Sequence, residues 1–412
     1  MVLSIDKRFV FGSLDYQLDH GKFAGYFARG YRAFDPNLDK TVVIKLLRHE
    51  VDDPSPNSKS PINRIQPGKF HYDAFNKEAL ILELLDDKLR DEKSVARVPK
   101  LHYFGYINGL NKDIPKDGVL EEISTVSEFT SESTDRMKSG WRPYLVVEYF
   151  PLEKNVRNIM EFYNSLETDL DIFKVRNNHV RAHYPLFQLL LFCYHVAKLF
   201  RIIHNNDSSD GPIVYPDCRL DHFFHNGRDA VVIDWNRAFF LNSEIESEVG
   251  TPVLSPKQDI INFLTAPVFA LLTGEDPGSQ PFFNKQKKEK HLGGYVSALS
   301  KYPEEIQQLF HDALINGTVN KAIILESRCE EILNSLFGYS LKQEKMNGIA
   351  QILHSVFTDA ETVSSIVAKM DASLANLYFD DIPDSQYLGE LIDYLRARRI
   401  HPWQRSDPYS DF

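Results

Sequence analysis

Two short stretches of this 412-residue chain carry charged side chains in an order that could do chemistry. Residues 213–226 read IVYPDCRLDHFFHN and residues 231–238 read VVIDWNRA. In the first, Asp217 leads a short loop, Arg219 follows two residues later, and Asp221 and His222 close the loop. In the second, Asp234 ends an apolar run. Upstream, Lys45 interrupts the run TVVIKLL at 41–47, and Glu78 stands among the apolar residues of FNKEALILELL at 75–85. A lysine and a glutamate set among core residues are costly unless they pair, and the pair would aim an ammonium at a phosphate. Taken singly, each has a plainer explanation. Lys45 could snorkel at a strand edge, either aspartate could cap a turn, and His222 could be a hydrogen-bonding core histidine. Together they are what phosphoryl transfer needs: an acid to orient and deprotonate an attacking hydroxyl, a cation on the γ-phosphate, and oxygen or nitrogen ligands for a divalent metal.

The surrounding pattern predicts the elements that must hold them. The first ~50 residues alternate apolar and polar and predict a strand-rich meander. Residues 51–69, with Pro54, Pro56, Pro61 and Pro67, predict a loop. Helical spacing follows at 75–85, and strands are expected at 98–107 and 144–150. The polar, acidic segment 108–140 between these strands reads as an inserted loop or flap. Beyond residue 156 the pattern turns helical, with long apolar helices at 186–203 and 257–273, the second stopped by Gly274. Short strands at 221–225 and 230–233 are separated by a turn. Two more helices are expected within 303–336, and a further helical block runs from 341 to about 399. The fold class expected is α+β: a small β-rich lobe at 1–150, a larger helical lobe at 151–338, and an all-α module at 339–412.

Composition limits the partners. Lys and Arg number 47 against 58 Asp and Glu, a formal charge of −11, which gives general nucleic-acid binding nothing to act through. The three cysteines, Cys193, Cys218 and Cys329, are too few and too scattered for a disulfide framework or a four-thiolate zinc site. Cys218 reads as a small buried thiol and the basic run at 285–290 as a solvated loop. The start MVLSIDKRFV is charged where a secretory signal would be apolar, and the most apolar stretch, 184–204, is interrupted by Gln188, His195, Lys198 and Arg201. A cytoplasmic protein without a membrane partner is expected.

From about residue 8 to 338 the chain resembles the protein kinase fold. VVIK resembles the phosphate-anchoring strand, so Lys45 would bind ATP phosphates, and KEALILELL resembles the regulatory helix with Glu78 as the lysine's partner. YLVVEYF resembles the hinge, with Val147 at the gatekeeper position and Glu148 and Phe150 offering backbone groups to adenine. YPDCRLDH is similar to the catalytic loop, which makes Asp217 the base and Arg219 the γ-phosphate cation. IDWN stands at the magnesium-binding position, hence Asp234, with His222 or Asp221 completing the metal set. Asp259 would support the catalytic loop from beneath. The resemblance implies ATP with Mg²⁺ and a Ser/Thr-type transfer to a hydroxyl on a protein substrate.

The departures from that pattern carry consequences. The phosphate loop LDHGKFAGYF keeps Gly21, Phe23 and Gly25 but has Asp19 and Ala24 where glycines are usual. Tyr215-Pro216 replaces His-Arg before the base, so switching by activation-loop phosphorylation is not expected. His222 replaces an asparagine; imidazole suits Mn²⁺ better than hard Mg²⁺. Residues 250–259 are short for a peptide-docking loop. Two alternatives follow: a pseudokinase adaptor that binds nucleotide weakly, and a small-molecule kinase similar to the aminoglycoside and choline phosphotransferases. Through FTDAETVSSIV at 357–367 and YLGELIDYLRARR at 387–399, the C-terminal module resembles the effector-associated, death-like domains of bacterial conflict systems. It would dock homotypically to an adaptor partner.

Overall fold

The computed structural model describes residues 2–11, 28–52, 64–92, 95–109, 118–161, 184, 186–207, 209–225, 229–242, 255–274, 299–300, 302–337, 339–340 and 378–379. The expectations for Gly21, Phe23 and Gly25, for residues 250–254 of the short docking loop, for the basic run at 285–290 and for nearly all of the module at 339–412 lie outside these residues. The architecture is mixed α+β, and the chain divides into two compact units. One comprises 1–92, 98–150 and 233–239, and the other 93–97, 151–232 and 240–412. Among the described residues no helix is long and apolar enough to cross a membrane.

The first unit is built on a six-stranded antiparallel sheet. Its strands are β1 (Val2–Ser4), β2 (Ala28–Asp35), β3 (Lys40–Leu47), β6 (Leu101–Asn108), β7 (Val119–Glu122) and β8 (Arg142–Glu148), in the order β1-β7-β6-β8-β3-β2. A two-residue pair, β4 (Val51–Asp52) with β5 (Arg64–Ile65), stands apart from it. Strand alternation sorts side chains to two faces. Val42, Ile44 and Leu46 of β3 join Tyr31, Ala33, Ile107, Leu120, Tyr144 and Val146 in a buried cluster on one face. Val43 and Lys45 project to the other.

The apolar cluster is closed by the first residues of the chain. The short helix α1 (Ile5–Arg8) and Phe9 bury Ile5 and Phe9 against it. Ile5 N–H bonds to Gly118 O at 2.9 Å beside β7, while Val10 exchanges two backbone hydrogen bonds with Phe34 in β2. These two strands stand four ladder spacings apart in the sheet order, which is ~19 Å if the sheet were flat. A link of four helical residues and two extended ones spans only ~13 Å. The sheet therefore curls, and the N-terminal strap crosses its concave face. The buried Arg8–Asp35 ion pair ties the strap to the end of β2, with Arg8 also stacked over Tyr103 at 4.6 Å.

The opposite face carries α2 (Lys69–Leu89), whose buried residues Tyr72, Phe75, Ala79, Leu82 and Leu85 recur at helical spacing. Segment 108–140 departs from the loop or flap expected of it. Its described part, 118–140, forms β7 and a regular helix, α3 (Val126–Lys138). The helix is poor in apolar residues because it needs few. Thr125 caps it by accepting from Glu128 N–H at 3.2 Å, and Phe129 packs on Tyr106 and Phe104 with ring centroids 5.0 and 5.2 Å apart. Arg136 then forks onto both Glu121 oxygens at 2.6 and 2.8 Å and lies over Tyr106 and Trp141. Gly105 lets β6 approach β7 here, since a Cβ would fall 2.0 Å from Glu121 O.

The second unit is mainly helical. Helix α4 (Leu186–His204) packs on α8 (Ala322–Phe337), and Arg201 pairs with Glu326 across them. Helix α5 (Pro256–Phe263) starts from Ser255, which accepts from Gln258 N–H, with proline in its first turn. It passes into a π-helical turn at Leu264–Val268 and then into α6 (Phe269–Thr273). Pro267 lies inside that turn; it has no N–H and its ring crowds the preceding turn, which favours the wider coil. Gly274 ends the run in left-handed conformation at φ 76°. Helix α7 (Glu304–His311) precedes α8. A short strand β9 (Ile213–Val214) leads into the Asp217 loop, and β10 (Phe223–His225) pairs antiparallel with β11 (Ala230–Val232).

Candidate functional site

Three of the residues singled out by sequence meet in the first unit. Lys45 Nζ bonds to both Glu78 oxygens at 2.8 Å and also to Asp234 Oδ1. The run of β-branched residues puts Lys45 on the α2 face of β3, and helical spacing places Glu78 on the buried side of α2. Asp234 arrives at the end of the apolar run that contains β11. It adopts left-handed backbone, φ 62° and ψ 63°, which for a non-glycine residue costs on the order of 1–3 kcal/mol. Among the described residues Asp39 is the other non-glycine with positive φ. The strained turn has a visible consequence: the next peptide group, Trp235 N–H, faces Glu78 Oε1 at 3.1 Å. Trp235 is wholly buried and anchors the turn Trp235–Arg237, whose Asn236 donates from Nδ2 to Asp234 Oδ1 at 2.6 Å.

The electrostatics of this cluster are unbalanced. Burial pulls the Lys45 ammonium down, but Asp234 and Glu78 outweigh it, so its pKa stands above the usual lysine value. Burial pushes the Glu78 carboxyl up, Asp234 adds repulsion, and Lys45 only partly offsets them. Two carboxylates thus share one ammonium in a poorly solvated place. With all three charged the cluster carries one net negative charge, and a further cation would relieve it. Asp234 is a hard oxygen donor with 19% of its side chain exposed, so it fits the divalent cation that phosphoryl chemistry requires.

Strand β8 and the two residues after it carry the remaining residues expected around adenine. Val147 of β8 lies opposite Val43 and Leu101 and is nearly buried, as is Phe150. Glu148 N–H is taken by Lys100 O at 2.9 Å, and Lys100 N–H returns to Glu148 Oε2 at 3.3 Å.

The second unit holds the other set on one loop. Asp217 is buried, and its carbonyl accepts from Arg219 N–H and from His222 Nδ1, both at 2.8 Å. A carbonyl only accepts, so Nδ1 of His222 carries the proton and the ring lone pair is on Nε2. Helix α5 holds the loop. Asp259, fully buried, accepts from Tyr215 N–H at 2.7 Å and pairs with His204 Nε2 at 2.9 Å, while Asn262 donates to Pro216 O. Burial raises the Asp259 carboxyl against the pull of those partners. Burial also raises the Cys218 thiol, with Asp259 and Asp217 adding repulsion, so this cysteine is a poor thiolate. Pro216–Arg219, Asn262, Thr265 and Ala266 line a small recess of about 10 Å³.

Arg219 and Asp221 are engaged with each other. Arg219 Nη2 donates to Asp221 Oδ2 at 3.0 Å, and Arg157 approaches Oδ1 at 3.6 Å. Asp221 is therefore hydrogen-bonded by one guanidinium and approached by a second. Arg219 Nε–H is buried without an acceptor among the described residues, which leaves a donor unspent beside the recess. Asn155 stitches the loop from outside, donating to Asp221 O at 2.8 Å. Asn155, Arg157, Trp235 and Asn236 were not singled out from sequence. Asn236, two residues past the strand-end aspartate, is the one whose spacing could have flagged it.

No protein-family model matches the chain, and no curated protein matches it.

Proposed function

We propose that this chain is an ATP-dependent phosphotransferase of the two-lobed, protein kinase-like type, transferring the γ-phosphate to an acceptor hydroxyl. The observation that carries the proposal is Lys45 held between Glu78 and Asp234. A buried ammonium fixed by one carboxylate, next to a second carboxylate with charge to spare, is a ready partner for a polyphosphate and its cation. Lys45 binds the α- and β-phosphates, and Glu78 fixes the lysine. Asp234 would hold a divalent ion, which would supply charge neutralisation to the phosphates. Asp217 takes the acceptor's proton as its oxygen attacks phosphorus; the bond from phosphorus to the bridging β–γ oxygen breaks and ADP leaves. Arg219, turned by Asp221, brings its guanidinium charge to the γ-phosphate. His222 stands beside Asp217 as a nitrogen donor that suits Mn²⁺ better than Mg²⁺.

The test is transfer of label from γ-labelled ATP in Mg²⁺ and in Mn²⁺, to the chain itself, to generic proteins and to small alcohols, with Asp217→Ala alongside. Label incorporation that Asp217→Ala lowers by at least about a hundredfold supports the enzyme. Absence of any Asp217-dependent incorporation sinks it. A thermal shift on ATP that Lys45→Ala removes, without transfer, then favours a nucleotide-binding adaptor.

A further inference from the structure

Two donors converge on one oxygen of Asp234: the Lys45 ammonium and the Asn236 amide, the latter at 2.6 Å. A carboxylate oxygen only accepts, so the NH₂ end of Asn236 faces it. Asn236 is itself buried, 6% exposed, in the turn Trp235–Arg237. That turn is clamped at Trp235, whose ring is wholly buried and whose N–H is held by Glu78. The side chain of Asn236 is therefore aimed by the turn and reaches back two residues to Asp234. One ammonium contact leaves a carboxylate able to pivot about it; a second donor on the same oxygen fixes its plane.

Resting on the phosphotransfer proposal, we propose that Asn236 is a positioning residue for the metal–nucleotide site, holding the Asp234 carboxylate in the one orientation that takes a divalent cation. Asn236 touches neither nucleotide nor acceptor and acts through Asp234. Groups that orient a metal ligand in this way change metal affinity by roughly 10- to 100-fold when removed.

The test measures Mn²⁺ binding to the full chain by electron paramagnetic resonance, with a saturating non-hydrolysable ATP analogue. Binding of the analogue without metal and the melting temperature are read in parallel. Wild type is expected to bind Mn²⁺, Asp234→Asn to lose it, and Asn236→Ala to weaken it at least about tenfold. Metal-free analogue binding should stay within about twofold, a pattern that a purely structural asparagine would not produce. Mn²⁺ affinity equal to wild type in Asn236→Ala, whether or not its melting temperature falls, overturns the inference while leaving phosphotransfer standing. No Mn²⁺ binding by wild type, or full binding by Asp234→Asn, overturns the metal–nucleotide proposal itself and the inference with it. Should the alanine variant not fold, Asn236→Ser, which keeps a shorter donor, is read on the same scale. A serine variant with wild-type Mn²⁺ affinity but no hydrogen bond to Asp234 in its crystal structure also overturns the inference.

Discussion

Lys45 is where sequence and structure meet most directly, because a cation inside a run of β-branched residues has to find an anion. It has two, Glu78 and Asp234, and its side chain is only 13% exposed. Removing it strands the buried Glu78 carboxylate beside the partly exposed Asp234, so Lys45→Met should cost about 3–5 kcal/mol in chemical denaturation. Glu78→Gln should cost less, since it leaves one ammonium against one carboxylate and removes the group already pushed toward its neutral form. Equal losses from both would contradict the unbalanced charge of the cluster. The pH dependence follows from the raised lysine. Its folded pKa lies above the unfolded value of 10.5, so the stability it contributes is complete below about pH 10.5 and is lost as pH rises through the folded value. Wild type minus Lys45→Met should therefore narrow in that alkaline range, and again in acid as the carboxyl partners take up protons. The lysine and its partners were legible because each is a local anomaly, a charge in an apolar run. Arg157 was not, because nothing around it in sequence is anomalous and only its long-range contact with Asp221 gives it a role; Asn236 had its two-residue spacing from Asp234 as a signal.

At the scale of elements, legibility tracked how much of an element's stability comes from its own apolar pattern. Helix α4 is apolar over most of its length and was expected within a residue of its observed bounds. Helix α3 was missed, since its hold on the sheet comes from one cap, one phenylalanine and one arginine fork rather than a stripe. Its stability should respond accordingly: Thr125→Ala should cost about 1 kcal/mol. The N-terminal strap also escaped the sequence, where Ile5 and Phe9 looked like part of a strand meander. Their burial on the concave face of the sheet makes Phe9→Ala worth about 3–5 kcal/mol. Val10 pairs with Phe34 through backbone alone and is 57% exposed, so Val10→Ala should stay within about 0.5 kcal/mol. A Phe9→Ala variant as stable as Val10→Ala would mean that the strap is not part of the core.

Over the whole molecule, the two charged sets belong to different compact units, with Lys45, Glu78 and Asp234 in one and Asp217, Arg219 and His222 in the other. Each set is held largely by its own local hydrogen bonds, so local geometry alone gives no reason why both should be present. A shared reaction gives one, and it makes a quantitative demand. If phosphates are anchored by Lys45 and the acceptor is deprotonated by Asp217 in the same turnover, the two act as a unit. Removing either should cost nearly what removing both costs, as for catalytic groups that serve a single transition state. Label transfer from ATP is thus expected to fall by a similar factor in Lys45→Met, in Asp217→Asn and in the double variant, once each is shown by its melting curve to be folded. Losses that instead multiply would mean the two residues contribute independently. In that case Lys45 would serve nucleotide binding or stability alone, and the catalytic role would have to be carried by the loop of the second unit without it.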